Sequence, residues 1–308
     1  MTVRGRRSAC VLLLLASQFA ALGETRPTRV VVVIASLTLE AHRAAIEGIR
    51  AALASTPAEL RILDADQASD AASGRPYITA STGVVIAAGS EAIRIAEAQR
   101  LKAPAVYTMI LRRNPEWYAP GRLAPVTIPL EVSLESLLVR LKQLFPGKTR
   151  LGIILDPATG ETNAAHLQAR AQQMGFTVHI AECSGAERLL AALASLRNRA
   201  DFVWCLPDGA LYNSTTVKPL ILASLDNRLP LIGFSESFAK AGAAIGIYAD
   251  FRDVGVQAGE AARQLLEGQN VRQYEGPRRL KVVVNPSVLR LFGLRYVASA
   301  GEEVTALP

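Results

Sequence analysis

Short apolar runs rich in valine and isoleucine recur along the chain, and they limit its fold more than any other feature. Two examples are RVVVVIAS at 29–36 and GVVIAAG at 83–89, and both are nearly continuous rather than alternating with polar residues. Strands that helices cover on both faces have this composition, because neither face meets water. Runs of the same kind lie at 103–109, 150–156, 176–182, 201–207, 229–235 and 243–250.

The segments between these runs carry apolar residues at helical spacing. One such pattern extends from Leu39 to Leu53 and another from Leu134 to Leu144. Regular alternation of strands with amphipathic helices predicts an α/β fold with parallel sheets.

The chain also repeats itself at an offset near 120 residues. Strand, loop and helix begin at Val30 and again at Leu151, and the runs from Val84 and Phe202 each end in a polar turn that contains glycine. A proline-rich, extended stretch at 118–132 lies between the two halves. We therefore predict an α/β protein with two doubly wound parallel-sheet lobes that are joined by crossing hinge strands.

This pattern gives a first division of the chain into lobes. We assign residues 24–130 together with about 270–308 to the N-terminal lobe. Residues 131–269 then form the C-terminal lobe.

The first 23 residues have the pattern of a secretory signal peptide. Arg4, Arg6 and Arg7 precede an apolar run at 9–22, and small residues at 21 and 23 suit cleavage before Glu24. An uncleaved anchor is the alternative, but this run is shorter than the roughly 20 residues that a bilayer requires. No Leu-x-x-Cys precedes Cys10, so we do not expect a lipoprotein. We expect a soluble, periplasmic protein.

Charge and cysteine content exclude several other classes. Without Arg4, Arg6 and Arg7 the 34 basic residues fall to 31 against 27 acidic ones, which leaves a charge of +4. The basic residues are scattered, apart from GPRRLK at 276–281, so we expect no nucleic-acid partner. Export permits a disulfide, but Cys183 and Cys205 lie in predicted strands that are not direct neighbours, and we expect free thiols.

Ligands of doubly wound sheets bind beyond the carboxyl ends of the strands, so the residues that follow each strand are the candidate site. Most of them carry hydroxyl, amide or carboxylate groups. The candidate ligand-binding residues are Ser36, Gly89, Ser90, Thr108, Asp156, Thr162, Asn163, Asp208, Tyr212, Asn213, Ser235, Glu236 and Asp250.

The sequence offers little support for metal, nucleophilic or phosphate chemistry. The three histidines His42, His166 and His179 have no metal-ligand spacing. Neither a Gly-x-Ser-x-Gly elbow nor a glycine-rich phosphate loop is present. We expect no catalytic residues, no metal and no cofactor.

The carboxylates at the predicted cleft leave two interpretations open. Two of them with separated pKa values would permit acid–base catalysis. Alternatively, a carboxylate could hold the ammonium of a zwitterion while neighbouring hydroxyl and amide groups hold its carboxylate. Asp208 could instead be only a turn residue, and Asp250 only a helix cap.

The second half resembles a known family closely. The segments KTRLGIILDPATGETN at 148–163, DFVWCLPDG at 201–209, KAGAAIGIYADFRDVGVQAGE at 240–260 and LKVVVNPSVLRLFGL at 280–294 are similar to ABC-transporter substrate-binding proteins of the tryptophan and tyrosine type. The resemblance extends from about Ser133 to Leu294 and continues more weakly into the first half.

The resemblance implies the type I periplasmic binding fold and a transport function. Such proteins close two lobes over a small ligand and deliver it to a permease in the inner membrane. The family's binding loops correspond here to Gly89, Ser90, Thr108, Asp156 to Asn163, Asp208, Asn213, Ser235, Glu236 and Asp250.

The resulting prediction is an exported, monomeric solute-binding protein with no enzymatic activity. Its partners would be a small polar ligand, such as an aromatic amino acid, and an ABC permease. Two alternatives remain: an exported ligand sensor that signals to a membrane partner, and an exported α/β enzyme that uses the cleft carboxylates.

Overall fold

The computed structural model describes residues 29–68, 78–99, 102–121, 123–157, 163–297 and 304–308. The predicted signal peptide at 1–23 and the candidate residue Thr162 lie outside these ranges. Among the described residues, no helix combines the length and the apolar character needed to cross a bilayer.

The first lobe contains a sheet of five parallel strands. They are β1 (Arg29–Ala35), β2 (Ala58–Asp64), β3 (Thr82–Ala88), β4 (Ala105–Thr108) and β5 (Val126–Ile128). The connecting helices are α1 (Glu40–Leu53), α2 (Ala65–Ala68), α3 (Ser90–Ala98) and a 3-10 turn at Pro115–Tyr118. The strands lie in the order β2-β1-β3-β4-β5.

The second lobe contains a sheet of seven strands. They are β6 (Arg150–Leu155), β7 (Thr177–Glu182), β8 (Phe202–Trp204), β9 (Leu231–Gly233), β10 (Ile245–Ala249), β11 (Leu280–Val284) and β12 (Val304–Ala306). The helices between α3 and β11 are α4 (Leu134–Leu144), α5 (Ala164–Gln173), α6 (Leu189–Ser195), α7 (Val217–Asp226), α8 (Glu236–Ala241) and α9 (Phe251–Leu266). A 3-10 turn at Ala186–Arg188 precedes α6, and α10 (Pro286–Leu291) follows β11.

The strand order of the second sheet confirms the repeat that the sequence predicts. It is β12-β11-β10-β9-β8-β6-β7, so the series β7-β6-β8-β9-β10 reproduces the order of the first sheet. Only the β10–β11 pair is antiparallel among the described strands. Buried clusters cover both faces of each sheet, which explains the nearly continuous apolar runs.

The division of the chain between the lobes differs from the sequence-based assignment beyond residue 250. That assignment placed 270–308 in the first lobe and 131–269 in the second. In the structure, β11 pairs with β10 along its whole length, so 280–306 belongs to the second lobe. The preceding helix α9 packs instead against α1 and the first sheet.

Glycines allow the backbones of α1 and α9 to touch. A Cβ added at Gly255 would lie 1.9 Å from the carbonyl oxygen of Ala45, and one at Gly48 would lie 2.0 Å from the carbonyl oxygen of Arg252. Glycine has no Cβ and therefore permits this close approach, whereas any larger residue would collide with the backbone of the facing helix. This contact attaches α9 to the first lobe.

Candidate functional site

A pocket lies where the carboxyl ends of the two sheets face each other. It contains about 750 Å³ of empty space, including the part that opens to solvent. Its lining residues come from the turn after β4, from the segment after β5 and from the ends of β8, β9 and β10. They are Leu111, Arg112, Leu130, Glu131, Val132, Trp204, Leu206, Pro207, Phe234, Ile247, Tyr248, Ala249 and Phe251.

Aromatic side chains form much of the second lobe's wall. Trp204 ends β8 and is only 4% exposed. Phe234 follows β9, and Tyr212 stacks behind it with a ring-centroid distance of 6.0 Å. Tyr248, in β10, packs on Phe251 with a centroid distance of 5.9 Å. These contacts fix the rings in place and suit the pocket to a flat, apolar group.

A charged pair lies at the side of the pocket that the first lobe and the hinge provide. The Nε atom of Arg112 is 4.0 Å from Oε1 of Glu131, and the two side chains are 30% and 43% exposed. Met109 adopts a positive φ of 55° at the end of β4, which turns the chain toward this position. The amide of Leu130 donates to the carbonyl of Ile110 at 2.7 Å and holds the hinge beside that turn.

The contact between Arg112 and Glu131 can be replaced by contacts of each side chain with a charged ligand. An ion pair of this length and exposure contributes at most about 1 kcal/mol, so a ligand that carries both charges loses little by separating it. A ligand carboxylate would then face the guanidinium, and a ligand ammonium would face the carboxylate.

Tyr248 connects the pocket to charges on α8. Its hydroxyl donates to Oε2 of Glu236 at 3.5 Å, and Lys240 lies 2.6 Å from Oε1 of the same carboxylate. Burial, with a smaller contribution from Glu236, raises the pKa of Tyr248 to about 12. The Lys240 contact lowers the pKa of Glu236. Tyr248 therefore stays protonated and Glu236 ionised at neutral pH.

Three of the polar residues that the sequence selected border this pocket but do not line it. Asp208, Ser235 and Asp250 each directly follow a lining residue. Three of the selected residues cap helices. Asn163 accepts from His166 N at 3.0 Å, Ser235 from Phe238 N at 3.1 Å, and Asp250 from Arg252 N at 3.0 Å. A contact to the ligand from these residues remains a prediction.

Asp208 and Asn213 shape the loop that precedes α7. Oδ1 of Asp208 accepts from the amides of Ala210 and Leu211 at 2.8 and 3.2 Å. Oδ1 of Asn213 accepts from Thr215 Oγ1 at 2.6 Å. Asp208 thus acts as a turn residue, and it is only partly buried at the edge of the second lobe.

Thr108 and Tyr212 are enclosed and do not reach the cleft. The hydroxyl of Thr108 is fully buried and donates to the carbonyl of Ile128 at 3.0 Å, so it joins β4 to β5. Tyr212 is 6% exposed and lies behind Phe234, beside the buried Cys205. The structure therefore does not support a direct ligand contact from either residue.

The other predicted residues occupy the edges of the two sheets. Ser36 is buried after β1, Gly89 begins α3 and Ser90 is exposed in its first turn. Asp156 is partly buried after β6, and Glu236 contacts Lys240 and Tyr248 as described above. These five residues lie at or just after strand ends, as predicted, but none of them lines the pocket.

A histidine stabilises the loop after β1. Nδ1 of His42 accepts from the amide of Ser36 at 3.3 Å, and the hydroxyl of Ser36 donates to Asp66 at 2.5 Å. A Cβ added at Gly89 would lie 2.8 Å from the His42 ring, so the glycine leaves room for it. Burial lowers the pKa of His42, while the Asp66 carboxylate opposes that shift.

This contact predicts a loss of stability at mildly acidic pH. Because the unfolded chain binds a proton at His42 more readily than the folded one, the free energy of unfolding should fall as the pH drops below the unfolded pKa of 6.5. His42→Asn, whose Oδ1 can still accept from Ser36, should weaken this dependence between about pH 5 and 6.5. Thermal unfolding across that range measures the effect.

The exposed His166 provides the matched control, as His166→Asn. Burial also lowers the pKa of His179, which remains in both variants and cancels in their comparison. Equal pH dependence in His42→Asn and in the wild type would contradict the prediction.

Cys183 and Cys205, the cysteines among the described residues, are buried free thiols, in agreement with the sequence analysis. Burial raises the pKa of Cys205 to about 12, so this thiol is not reactive at neutral pH. Among the described residues, no group of His, Cys, Asp and Glu side chains has an arrangement that would hold a metal ion.

The sequence analysis missed the apolar and hinge residues of the pocket. Trp204, Phe234 and Tyr248 stand at or near the ends of predicted strands, where polar residues alone were taken as candidates. Large aromatic residues at three consecutive strand ends were the available signal. Glu131 had no comparable signal, because its position depends on the crossing between the lobes.

Two α/β lobes that share one five-strand order, with a pocket between their carboxyl edges, define the class of type I periplasmic binding proteins. Solved structures of this class have the same fold. A ligand-free, open substrate-binding protein with adhesive properties from Clostridium difficile has a TM-score of 0.64 at 17% identity, covering 91% of this chain and 99% of that one. A Streptococcus pneumonia protein in complex with L-Trp has a TM-score of 0.52 at 13% identity, covering 86% of this chain and 95% of that one.

The sequence itself identifies the family. Residues 30–299 match the family model described as ABC transporter substrate binding protein, and the chain belongs to this family. A tyrosine-binding protein of Clostridioides difficile (strain R20291) is 25% identical over 174 residues. That alignment covers 54% of this chain and 49% of the relative, so the chain spans about half the length of the curated protein it matches.

Proposed function

We propose that this protein is the extracytoplasmic solute-binding component of an ABC transporter and that it binds an aromatic amino acid between its lobes. The observation that carries the proposal is the composition of the pocket. An aromatic wall at Trp204, Phe234 and Tyr248 faces a first-lobe and hinge side that carries the Arg112–Glu131 pair.

The two sides of the pocket suit the two parts of such a ligand. The apolar wall would accept the side chain, and its burial is the main favourable contribution. Arg112 would bind the α-carboxylate, and Glu131 would bind the α-ammonium. The names of relatives agree with this class, since one is a tyrosine-binding protein and a structural neighbour holds L-Trp.

The geometry also supports capture by closure of the lobes. Arg112 follows a first-lobe strand, Glu131 lies in the hinge, and the aromatic wall belongs to the second lobe. A ligand that contacts all three stabilises the arrangement in which they converge. The closed protein would then be the form that a permease in the membrane recognises.

Ligand-dependent stabilisation tests this function. At about 100 times its dissociation constant, a ligand should raise the free energy of unfolding by about 2.7 kcal/mol. We expect L-tyrosine, L-tryptophan or L-phenylalanine to produce such a shift in thermal unfolding, and L-aspartate and L-lysine to produce none. The proposal fails if none of the three aromatic amino acids stabilises the protein or binds in calorimetry.

A matched set of ligands measures separately how much the aromatic wall and the Arg112–Glu131 pair contribute to affinity. Indole and p-cresol retain the rings but lack the charged groups, so they should bind at least tenfold more weakly than the corresponding amino acids, since each charge-assisted contact contributes about 1.5–3 kcal/mol. Equal affinity for indole and L-tryptophan would show that Arg112 and Glu131 do not contribute to ligand binding.

A further inference from the structure

We propose that Trp204 determines ligand specificity, because its indole N–H requires a hydrogen-bond acceptor on the aromatic end of the ligand. The proposal rests on the function proposed above and adds a requirement that the apolar wall alone does not impose. It predicts a preference for a ring that bears an oxygen, as in L-tyrosine, over the same ring without one.

The side chain of Trp204 is almost completely buried, yet its N–H lacks a partner. It is 4% exposed, and its indole N–H makes no hydrogen bond among the described residues. A buried indole N–H normally has a hydrogen-bond partner, because an unsatisfied buried donor is costly. The donor is therefore unusual for the interior of a lobe.

The N–H must reach the open space of the pocket. Polar side-chain atoms that are sealed from solvent without a partner occur at Thr56, Tyr212 and Asp253 among the described residues, and Trp204 is not one of them. Since Trp204 lines the pocket and is otherwise enclosed, the pocket is the space that its N–H meets.

The residues next to Trp204 offer no side-chain acceptor for its N–H, so the acceptor would have to come from the ligand. Leu206, Pro207 and Ile247 line the same side of the pocket and have no polar side-chain atoms. The backbone carbonyl groups around Trp204, which could otherwise accept from it, belong to a strand that pairs with β6 and β9 on both sides. An oxygen at the end of the ligand would satisfy the donor when the lobes close and exclude water.

Tyr248 offers the complementary group on the adjacent part of the wall. Its proton points to Glu236, so its oxygen retains lone pairs that can accept from a ligand. A phenolic hydroxyl could accept from Trp204 and donate to Tyr248. An indole N–H could only donate, and a phenyl ring could do neither.

Calorimetry with L-tyrosine and L-phenylalanine tests the assignment on wild type and Trp204→Phe. We expect wild type to prefer L-tyrosine by about tenfold or more, because an unsatisfied buried donor costs that factor. Trp204→Phe keeps an aromatic ring and removes the donor. Its affinity for L-tyrosine should fall about tenfold, while its affinity for L-phenylalanine stays within about threefold.

The possible outcomes distinguish this inference from the proposed function. Equal affinities in the wild type, or an unchanged preference in Trp204→Phe, overturn the role of Trp204 and leave the function intact. Failure of both amino acids and of L-tryptophan to bind overturns the function, and the assignment of Trp204 with it. Should Trp204→Phe not fold, Tyr248→Phe removes the complementary group, and it must also reduce the preference for L-tyrosine.

The protein contains a natural control for the position of Trp204. It has two tryptophans, and the other, Trp117, packs edge-on against Tyr107 in the first lobe. Saturating L-tyrosine should therefore change the tryptophan emission of Trp117→Phe and leave that of Trp204→Phe nearly unchanged. The reverse pattern would place the ligand away from Trp204 and overturn the proposal.

Discussion

We expect the Arg112→Ala variant to bind the proposed aromatic amino-acid ligand at least about 30-fold more weakly than the wild type. Removing one member of a buried, hydrogen-bonded charge pair across an interface costs about 2–5 kcal/mol, and each 1.4 kcal/mol is a factor of ten. The proposed closure over the ligand would bury this contact more deeply than the open pocket does, and burial would strengthen it. Calorimetric titration with L-tyrosine measures the loss.

The neighbouring arginine is the matched control. Arg113 lies next in the sequence, but its guanidinium stacks over the ring of Tyr274, 5.3 Å from the centroid, and it does not line the pocket. Arg113→Ala should therefore leave the affinity within about threefold, because an exposed cation–π contact contributes about 0.5–1 kcal/mol. Similar losses in both variants would indicate a general effect of charge and contradict a specific contact from Arg112.

We expect the Gly255→Ala variant to lose about 3 kcal/mol of its free energy of unfolding. The added Cβ would lie 1.9 Å from the carbonyl oxygen of Ala45, which is backbone and cannot rotate away. The helices must separate, and such overpacking typically costs 1–3 kcal/mol or more. Alanine itself favours the helix by about 1 kcal/mol over glycine, so a net loss would show that the contact dominates.

Gly209→Ala is the control for this prediction. A Cβ at Gly209 meets nothing within 4 Å, and its φ does not require glycine. Its thermal midpoint should stay within about 2 °C of the wild type, whereas Gly255→Ala should unfold about 5–10 °C lower. A midpoint for Gly255→Ala equal to or above that of the wild type would exclude a tight contact between α1 and α9.

The fold was largely predictable from the sequence because its strands are covered on both faces. Their continuous apolar runs, as in β1 and β3, are difficult to mistake for exposed loops. The exception was β2, which lies at the edge of its sheet and carries charged residues such as Glu59 and Arg61. The three-residue strand β5 is too short for its pattern to be distinguished from the proline-rich segment around it.

The candidate site was less predictable, for a physical reason. Polar residues after strands were expected to hold the ligand, but Ser235 and Asp250 satisfy the first amides of α8 and α9. Helices that follow strands often begin with such a cap, so this signal marks helix starts as readily as binding residues. The Arg112–Glu131 pair depends on how two distant segments meet, and local sequence carries little information about that.

The exchange of segments between the lobes has a consequence for the order in which the chain becomes able to fold. In the first lobe, α1 lacks the helix that covers it, α9, until the chain has been synthesised to Leu266. In the second lobe, β10 lacks its partner β11 until synthesis has reached Val284. Neither lobe is therefore a contiguous fragment, and premature release at residue 250 would leave both with an uncovered apolar surface. A protein built in this way completes both of its lobes only late in its synthesis.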